Sequence, residues 1–175
     1  AFDIKSLSES NKYGKNIEPQ KDLGDIKQRP KFMLSYEILN SNKEVEKYIL
    51  PIFGKGLWST LYGFLALNKD MKTVEGITFY EHGETPGLGG EIDNPKWKAS
   101  WKGKQALSDQ GEPIINVIKG KVDPSSPNKN HEIDGLSGAT LTTRGVDNLV
   151  HYWLGEDGYS NFIENIKKGN EDEKI

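Results

Sequence analysis

From Lys31 to Leu39 the apolar residues Phe32, Leu34, Tyr36 and Ile38 alternate with other residue types, the period of a half-buried strand. Asn40 to Lys43 reads as its turn, Val45 to Ile49 as a returning strand, and Pro51 to Gly56 as a loop. Trp58 to Leu67 and Val74 to Tyr80 are rich in aromatic and β-branched residues, and with Asn68-Lys69-Asp70 between them they predict a hairpin. Asn94 before Pro95 predicts a short helix to Lys102, because asparagine caps and proline suits the first helical position; Trp97 and Trp101 then share a face. Ile114 to Ile118 reads as a further strand, and Asp123 to Asn130, rich in Pro and Asn, as a surface loop. Val146, Leu149, Val150 and Trp153 follow one face of a helix that Gly155 and Gly158 end. A last helix spans Tyr159 to Lys168 with Gly169 as its stop, before a charged tail from Asn170 to Ile175. Residues 1–30 carry no clear period and read as short helix or irregular chain. Strands joined by short turns, with helices between and after them, indicate an α+β domain built on an antiparallel sheet flanked by helices.

Composition narrows the function classes. A chain of 175 residues suits one domain with its own core. The longest apolar run, Tyr48 to Phe53, falls far short of the roughly 20 residues that cross a bilayer, and no signal peptide is visible. Net charge is −3 with basic residues scattered among acidic ones, so no basic stripe points to nucleic acid. Without cysteine there is no thiolate for a metal or an iron–sulfur cluster. His82, His131 and His151 lack any paired ligand spacing, and Glu171-Asp172-Glu173 reads as a solvated tail, so no metal is expected.

The chemistry concentrates in two glycine-containing stretches. Asp134-Gly135-Leu136-Ser137-Gly138-Ala139-Thr140-Leu141-Thr142 sets a hydroxyl among small residues where a loop gives way to a helix. A helix start leaves backbone N–H groups without intrahelical partners and carries the positive end of the dipole, so Thr140 sits where a phosphate would be stabilised. The same composition also suits an ordinary Ser/Thr cap. Gly138 and Ala139 keep bulk away from Thr140, and Arg144, one turn on, either reaches back to an anion or is a solvated helix residue. Gly83-Glu84-Thr85-Pro86-Gly87-Leu88-Gly89-Gly90-Glu91 would let backbone approach a flat ligand, or would simply be a long turn. It lacks the third glycine and following helix of a dinucleotide fingerprint. A hydrolytic elbow at Gly135-Leu136-Ser137-Gly138-Ala139 is disfavoured, since it ends in alanine and His151 is the only histidine downstream.

The run Asp134 to Thr140 resembles the flavinylation motif of FMN-binding domains, in which a flavin transferase joins the FMN phosphate to the last threonine as a phosphoester. The Gly83 to Glu91 loop, the segment Gly56-Leu57-Trp58-Ser59 and the ending Trp153-Leu154-Gly155 with Gly158-Tyr159 resemble the NqrC family of sodium-pumping NADH:quinone oxidoreductases over about residues 50–168. The resemblance implies FMN on Thr140; cofactor contacts from Ser137, Gly138, Ala139, Leu141, Thr142, Glu84, Thr85, Gly87, Leu88, Gly89 and Trp58; and transferase recognition through Asp134, Gly135, Ser137, Gly138 and Ala139. Trp58 is equally open to a core role. It also implies a division into residues 1–30 following a membrane anchor outside this sequence, an FMN-binding domain over 31–169, and the tail 170–175. The expected role is a one-electron relay on the periplasmic side of a bacterial inner membrane, with the other subunits and the flavin transferase as partners. By itself the domain would not be catalytic. Two alternatives are the related FMN-binding protein of an Rnf-type complex and an FMN-holding sensor without electron relay.

Overall fold

The period-two alternation of residues 60–68 is realised without interruption in the computed structural model, which describes residues 3–172: Leu61, Gly63, Leu65 and Leu67 are buried and their neighbours half-exposed. Before it the chain makes α1 (Ile4–Glu9), β1 (Gly14–Asn16), β2 (Gln28–Pro30), β3 (Tyr36–Leu39) and β4 (Val45–Lys55). The alternating segment is β5 (Thr60–Asn68), and β6 (Val74–Glu81) follows it. The antiparallel order β3-β4-β5-β6 is the four-stranded sheet at the centre of the molecule. The hairpin predicted between Trp58 and Tyr80 is present, with its first strand starting at Thr60.

Three strand expectations change: Ile114 to Ile118 forms a strand only over Asn116–Val117, and two more differ within the four-stranded sheet. The alternation from Lys31 yields a strand only over Tyr36–Leu39, and all four residues are exposed. Its period dictates extended backbone, but β3 is an edge strand held on one side by β4 and neither of its faces is covered, so extension brings no burial. β4 runs straight through the predicted loop at Pro51. The Pro51 carbonyl accepts from the Tyr159 hydroxyl at 2.6 Å, so this residue's polar backbone faces away from β5. Its missing N–H costs no ladder bond, because β3 begins at Tyr36, opposite Ile49, and does not reach Pro51.

The remaining elements are α2 (Pro95–Ala99), β7 (Asn116–Val117), β8 (Glu132–Ile133), α3 (Thr140–Leu154) and α4 (Ser160–Asp172). The Asn94 side chain caps α2, which is shorter than the predicted helix, and the rings of Trp97 and Trp101 meet edge-on with centroids 5.6 Å apart. β7 pairs in parallel with β8, a strand that two residues are too few to announce in sequence. α4 passes through Gly169, where a lone glycine weakens a helix by about 1 kcal/mol without ending it. Of the predicted tail, Glu173 to Ile175 lie outside the described residues.

α3 packs against β4 at glycine contacts. A Cβ on Gly145 would lie 2.4 Å from the Lys55 carbonyl oxygen, and one on Gly54 2.6 Å from Leu149 Cβ. Residues 3–30 are tied to the same layer: Lys55 N–H donates to the Gly24 carbonyl at 2.9 Å, and the Arg29 guanidinium lies 4.8 Å from the Trp153 ring centroid and donates to the Asp157 carbonyl. Among the described residues no helix is long and apolar enough to cross a membrane.

Candidate functional site

Three threonines open α3, and the fold gives them different fates. Thr142 is fully buried and donates its hydroxyl to Glu84 Oε2 at 2.5 Å. Thr143 is also buried, and its hydroxyl accepts from the Leu136 N–H at 3.0 Å. Thr140, the first residue of the helix, is exposed. The cap position is Ala139, which offers no side-chain acceptor. An ordinary Ser/Thr cap is therefore absent at this end, and the leading N–H groups of a fifteen-residue helix are open to an anion from outside. Arg144 is exposed one turn further on and has no salt-bridge partner among the described residues.

The loop before α3 is shaped by its first residues. Asp134 accepts from Val122 N–H and Lys121 Nζ, both at 2.8 Å, while its carbonyl accepts from Trp97 Nε1 at 2.8 Å. Burial pushes the Asp134 carboxyl up, but the Lys121 ammonium and the Val122 amide outweigh it and hold it below the ordinary range. Gly135 donates to the Gly120 carbonyl, and a Cβ there would stand 2.2 Å from the Ile118 carbonyl oxygen. Asp134 and Gly135 thus anchor the loop inward. Ser137 and Gly138 are exposed, Ala139 is buried, and Gly138 adopts φ +70°, the left-handed region that suits glycine.

Glu84 joins this helix start to the other two motifs. Its side chain is buried, with Oε1 accepting from Trp58 N–H (3.0 Å), Ser59 N–H (3.2 Å) and the Ser59 hydroxyl (3.3 Å), while Oε2 accepts from Leu57 N–H (3.1 Å) and Thr142. Burial pushes its pKa up, and the hydrogen bonds from Thr142, Leu57, Trp58 and Ser59 more than offset that, leaving it below the ordinary glutamate value. Gly56-Leu57-Trp58-Ser59, the glycine-rich loop and the start of α3 therefore meet at one carboxylate. Gly89 is buried at the same point, where a Cβ would come 2.4 Å from Thr142 Oγ1, and Gly138 faces Leu88, whose Cδ2 a Cβ would approach to 3.1 Å.

Around this junction the surface is apolar. Trp58, Leu88 and Leu141 are exposed by 67%, 45% and 53%, one from each segment, which excludes a core role for Trp58. Thr85 is exposed, and its carbonyl accepts from Leu88 and Gly90; Gly87 has φ +77° with open space where a Cβ would stand. An exposed hydroxyl at an uncapped helix start, beside large apolar side chains and open glycines, is the donor set that a flat ring carrying a phosphate requires.

Three contributors carry little signal of their own in the sequence. Leu57 acts through its backbone N–H and Ser59 through both its N–H and its hydroxyl, and only their place in the Gly56 to Ser59 segment marks them. His82 accepts from the Glu84 N–H through Nδ1 (3.1 Å) and meets Asp93 Oδ2 through Nε2 (2.8 Å), a pairing across eleven positions that no motif announces. His151 lies on α3 against Asp147, and His131 against the Ile114 carbonyl. Among the described residues no group of His, Asp and Glu could hold a metal ion.

Comparison with known proteins bears on the same segments. The model of the FMN-binding domain family matches residues 56–155. The NqrC protein of the Na(+)-translocating NADH-quinone reductase of Pseudomonas aeruginosa is 54% identical over 148 residues, covering 85% of this chain and 56% of that protein. Its Yersinia pestis counterpart is 44% identical over 168 residues, covering 96% of this chain and 62% of that protein. The chain thus spans less than two thirds of the length of these relatives. The crystal structure of Shewanella oneidensis NqrC superposes with a TM-score of 0.87 at 34% identity, covering 95% of this chain and 75% of that one.

Proposed function

This chain belongs to the FMN-binding domain family and, within it, to the NqrC group of Na+-translocating NADH-quinone reductases, and on that premise we propose that it carries FMN as a phosphoester on Thr140 and relays single electrons within a membrane NADH:quinone oxidoreductase. The observation that carries the reading is the unequal treatment of the α3 threonines: Thr142 and Thr143 are buried and hydrogen-bonded, while Thr140 is exposed at the helix start. A transferase bringing a flavin donor from outside meets the Thr140 oxygen first.

When bound, FMN supplies reversible electron uptake and release. The chain's own residues do the rest. The N–H groups at the start of α3 stabilise the phosphoester anion, and Arg144 adds a positive charge from the exposed side. Trp58 and Leu88, exposed beside the helix start, would hold the ring and limit water access, while Thr85, Gly87 and Gly89 would let backbone approach it. Ser137 and Gly138, exposed on the loop that Asp134 and Gly135 anchor and that the small, buried Ala139 closes, are what the transferase reads. In this proposal electrons arrive from within the complex and pass to another flavin and finally to quinone, coupled to sodium export. The domain stands on the periplasmic side of the bacterial inner membrane, attached through a helix outside this sequence. A tether prevents loss of the cofactor in that compartment.

Peptide mapping by mass spectrometry of the domain coexpressed with a flavin transferase tests the attachment. The reading requires a riboflavin phosphate adduct on Thr140, and its absence from material taken from the native membrane defeats the proposal. Rapid-reaction kinetics of the assembled complex tests the relay, which a flavin never reduced during turnover would eliminate.

A further inference from the structure

We propose that Glu84 is a positioning residue for the flavin site: its buried carboxylate latches the Gly56 to Ser59 turn and the start of α3 to the glycine-rich loop before flavin arrives, and its charge lowers the reduction potential of the attached flavin. This rests on the covalent-FMN reading, which it deepens.

The carboxylate has no salt-bridge partner among the described residues. What compensates its burial is three successive backbone N–H groups and two hydroxyls, an anion nest made by the Leu57 to Ser59 turn with α3 supplying the last donor. The division of donors between its oxygens defines the latch. Oε1 binds the turn alone, whereas Oε2 accepts from Leu57 and Thr142 together and so spans turn and helix. Gly56 and Gly89 close over it, since a Cβ on either would stand 2.7 Å or 2.9 Å from a carboxylate oxygen, which leaves no room for side chains there. Behind it the Glu84 N–H is held by His82 Nδ1, whose Nε2 is turned to Asp93.

A glutamine keeps the shape but not the chemistry. With its NH2 in the Oε1 place it faces the Trp58 and Ser59 donors; in the Oε2 place the Thr142 hydroxyl can reverse and accept, but the Leu57 N–H cannot. Either orientation sets donor against donor. The carboxylate is held ionised by its donors and forms no ion pair among the described residues, so its charge acts on the adjoining exposed face formed by Trp58, Leu88 and Thr140. A negative charge there makes the arrival of an electron less favourable.

The test compares wild type with Glu84→Gln and Thr142→Val. In the flavin-free domain, hydrogen exchange at Leu57, Trp58 and Ser59 should accelerate about tenfold or more in Glu84→Gln relative to amides of β5. Loading by the transferase should slow severalfold in both variants, and the midpoint potential of the loaded domain should rise in Glu84→Gln alone. Thr142→Val keeps the charge and removes one donor, so it separates positioning from electrostatics and serves also where Glu84→Gln is too unstable to load. Unchanged exchange in Glu84→Gln, or unchanged loading in Thr142→Val, overturns the latch. An unchanged potential in loaded Glu84→Gln overturns the electrostatic part. Wild type found unmodified at Thr140 defeats the covalent reading instead, while exchange in the flavin-free protein still reports on the latch.

Discussion

Thr140 and Thr142 are two positions apart, and one hydrogen bond separates their roles. Thr140→Val keeps shape and removes the oxygen of an exposed residue whose hydroxyl makes no hydrogen bond among the described residues, so it should abolish covalent flavin, read as loss of in-gel fluorescence after denaturation, while shifting stability by less than about 0.5 kcal/mol. Glu84 adds a pH dependence. Its folded pKa lies below the unfolded value of 4.5, so its contribution is present above 4.5 and is lost as pH falls through the folded value. Denaturant titrations from pH 6 to pH 3 should therefore show wild type losing stability in acid more steeply than Glu84→Gln. At this scale the sequence is informative for Thr140, because a hydroxyl among small residues ahead of an apolar helical face is a local pattern. Glu84 stands out only as an acid in a glycine-rich loop; that its oxygens face inward depends on donors supplied from far along the chain.

α3 is positioned by what its glycine omits. Gly145→Ala would set a Cβ against the Lys55 backbone carbonyl, which cannot move without β4, so a loss of about 1–3 kcal/mol is expected from denaturant midpoints, despite alanine's better helix propensity. The same helix carries a titrating histidine. His151 has its pKa raised, chiefly by its hydrogen bond to Asp147 and against the opposing effect of burial. Its stabilisation is complete below the unfolded value of 6.5 and disappears as pH rises through the folded one. Relative to His151→Gln, wild type should thus hold its largest advantage near pH 5.5 and little by pH 8.5, measured by urea unfolding. Elements with strong local periods, β5, β6 and α3, are readable in sequence. β4 is readable only as far as Ile49, because whether a proline breaks a strand depends on which side its missing N–H faces, and β3 is readable as extended but not as exposed.

For the molecule as a whole, residues 3–30 belong with the layer that carries the site. Arg29 is buried, lies over Trp153 and bonds to the Asp157 carbonyl, so Arg29→Ala should cost about 2 kcal/mol or more, read as a lower thermal midpoint of the whole domain rather than a separate early transition. Nothing in the composition of residues 1–30 signals this, since their partners lie beyond residue 50. The sequence by itself determined what neighbours along the chain can decide: the β5–β6 hairpin, the amphipathic α3, and a hydroxyl placed at a helix start, all consequences of side-chain period and cap chemistry over a few residues. Only the tertiary structure decided which hydroxyl stays free and which is consumed. Thr142 meets Glu84 across 58 positions because α3 lies against β4 at Gly54 and Gly145, and such a meeting is set by packing distance rather than by spacing in the chain.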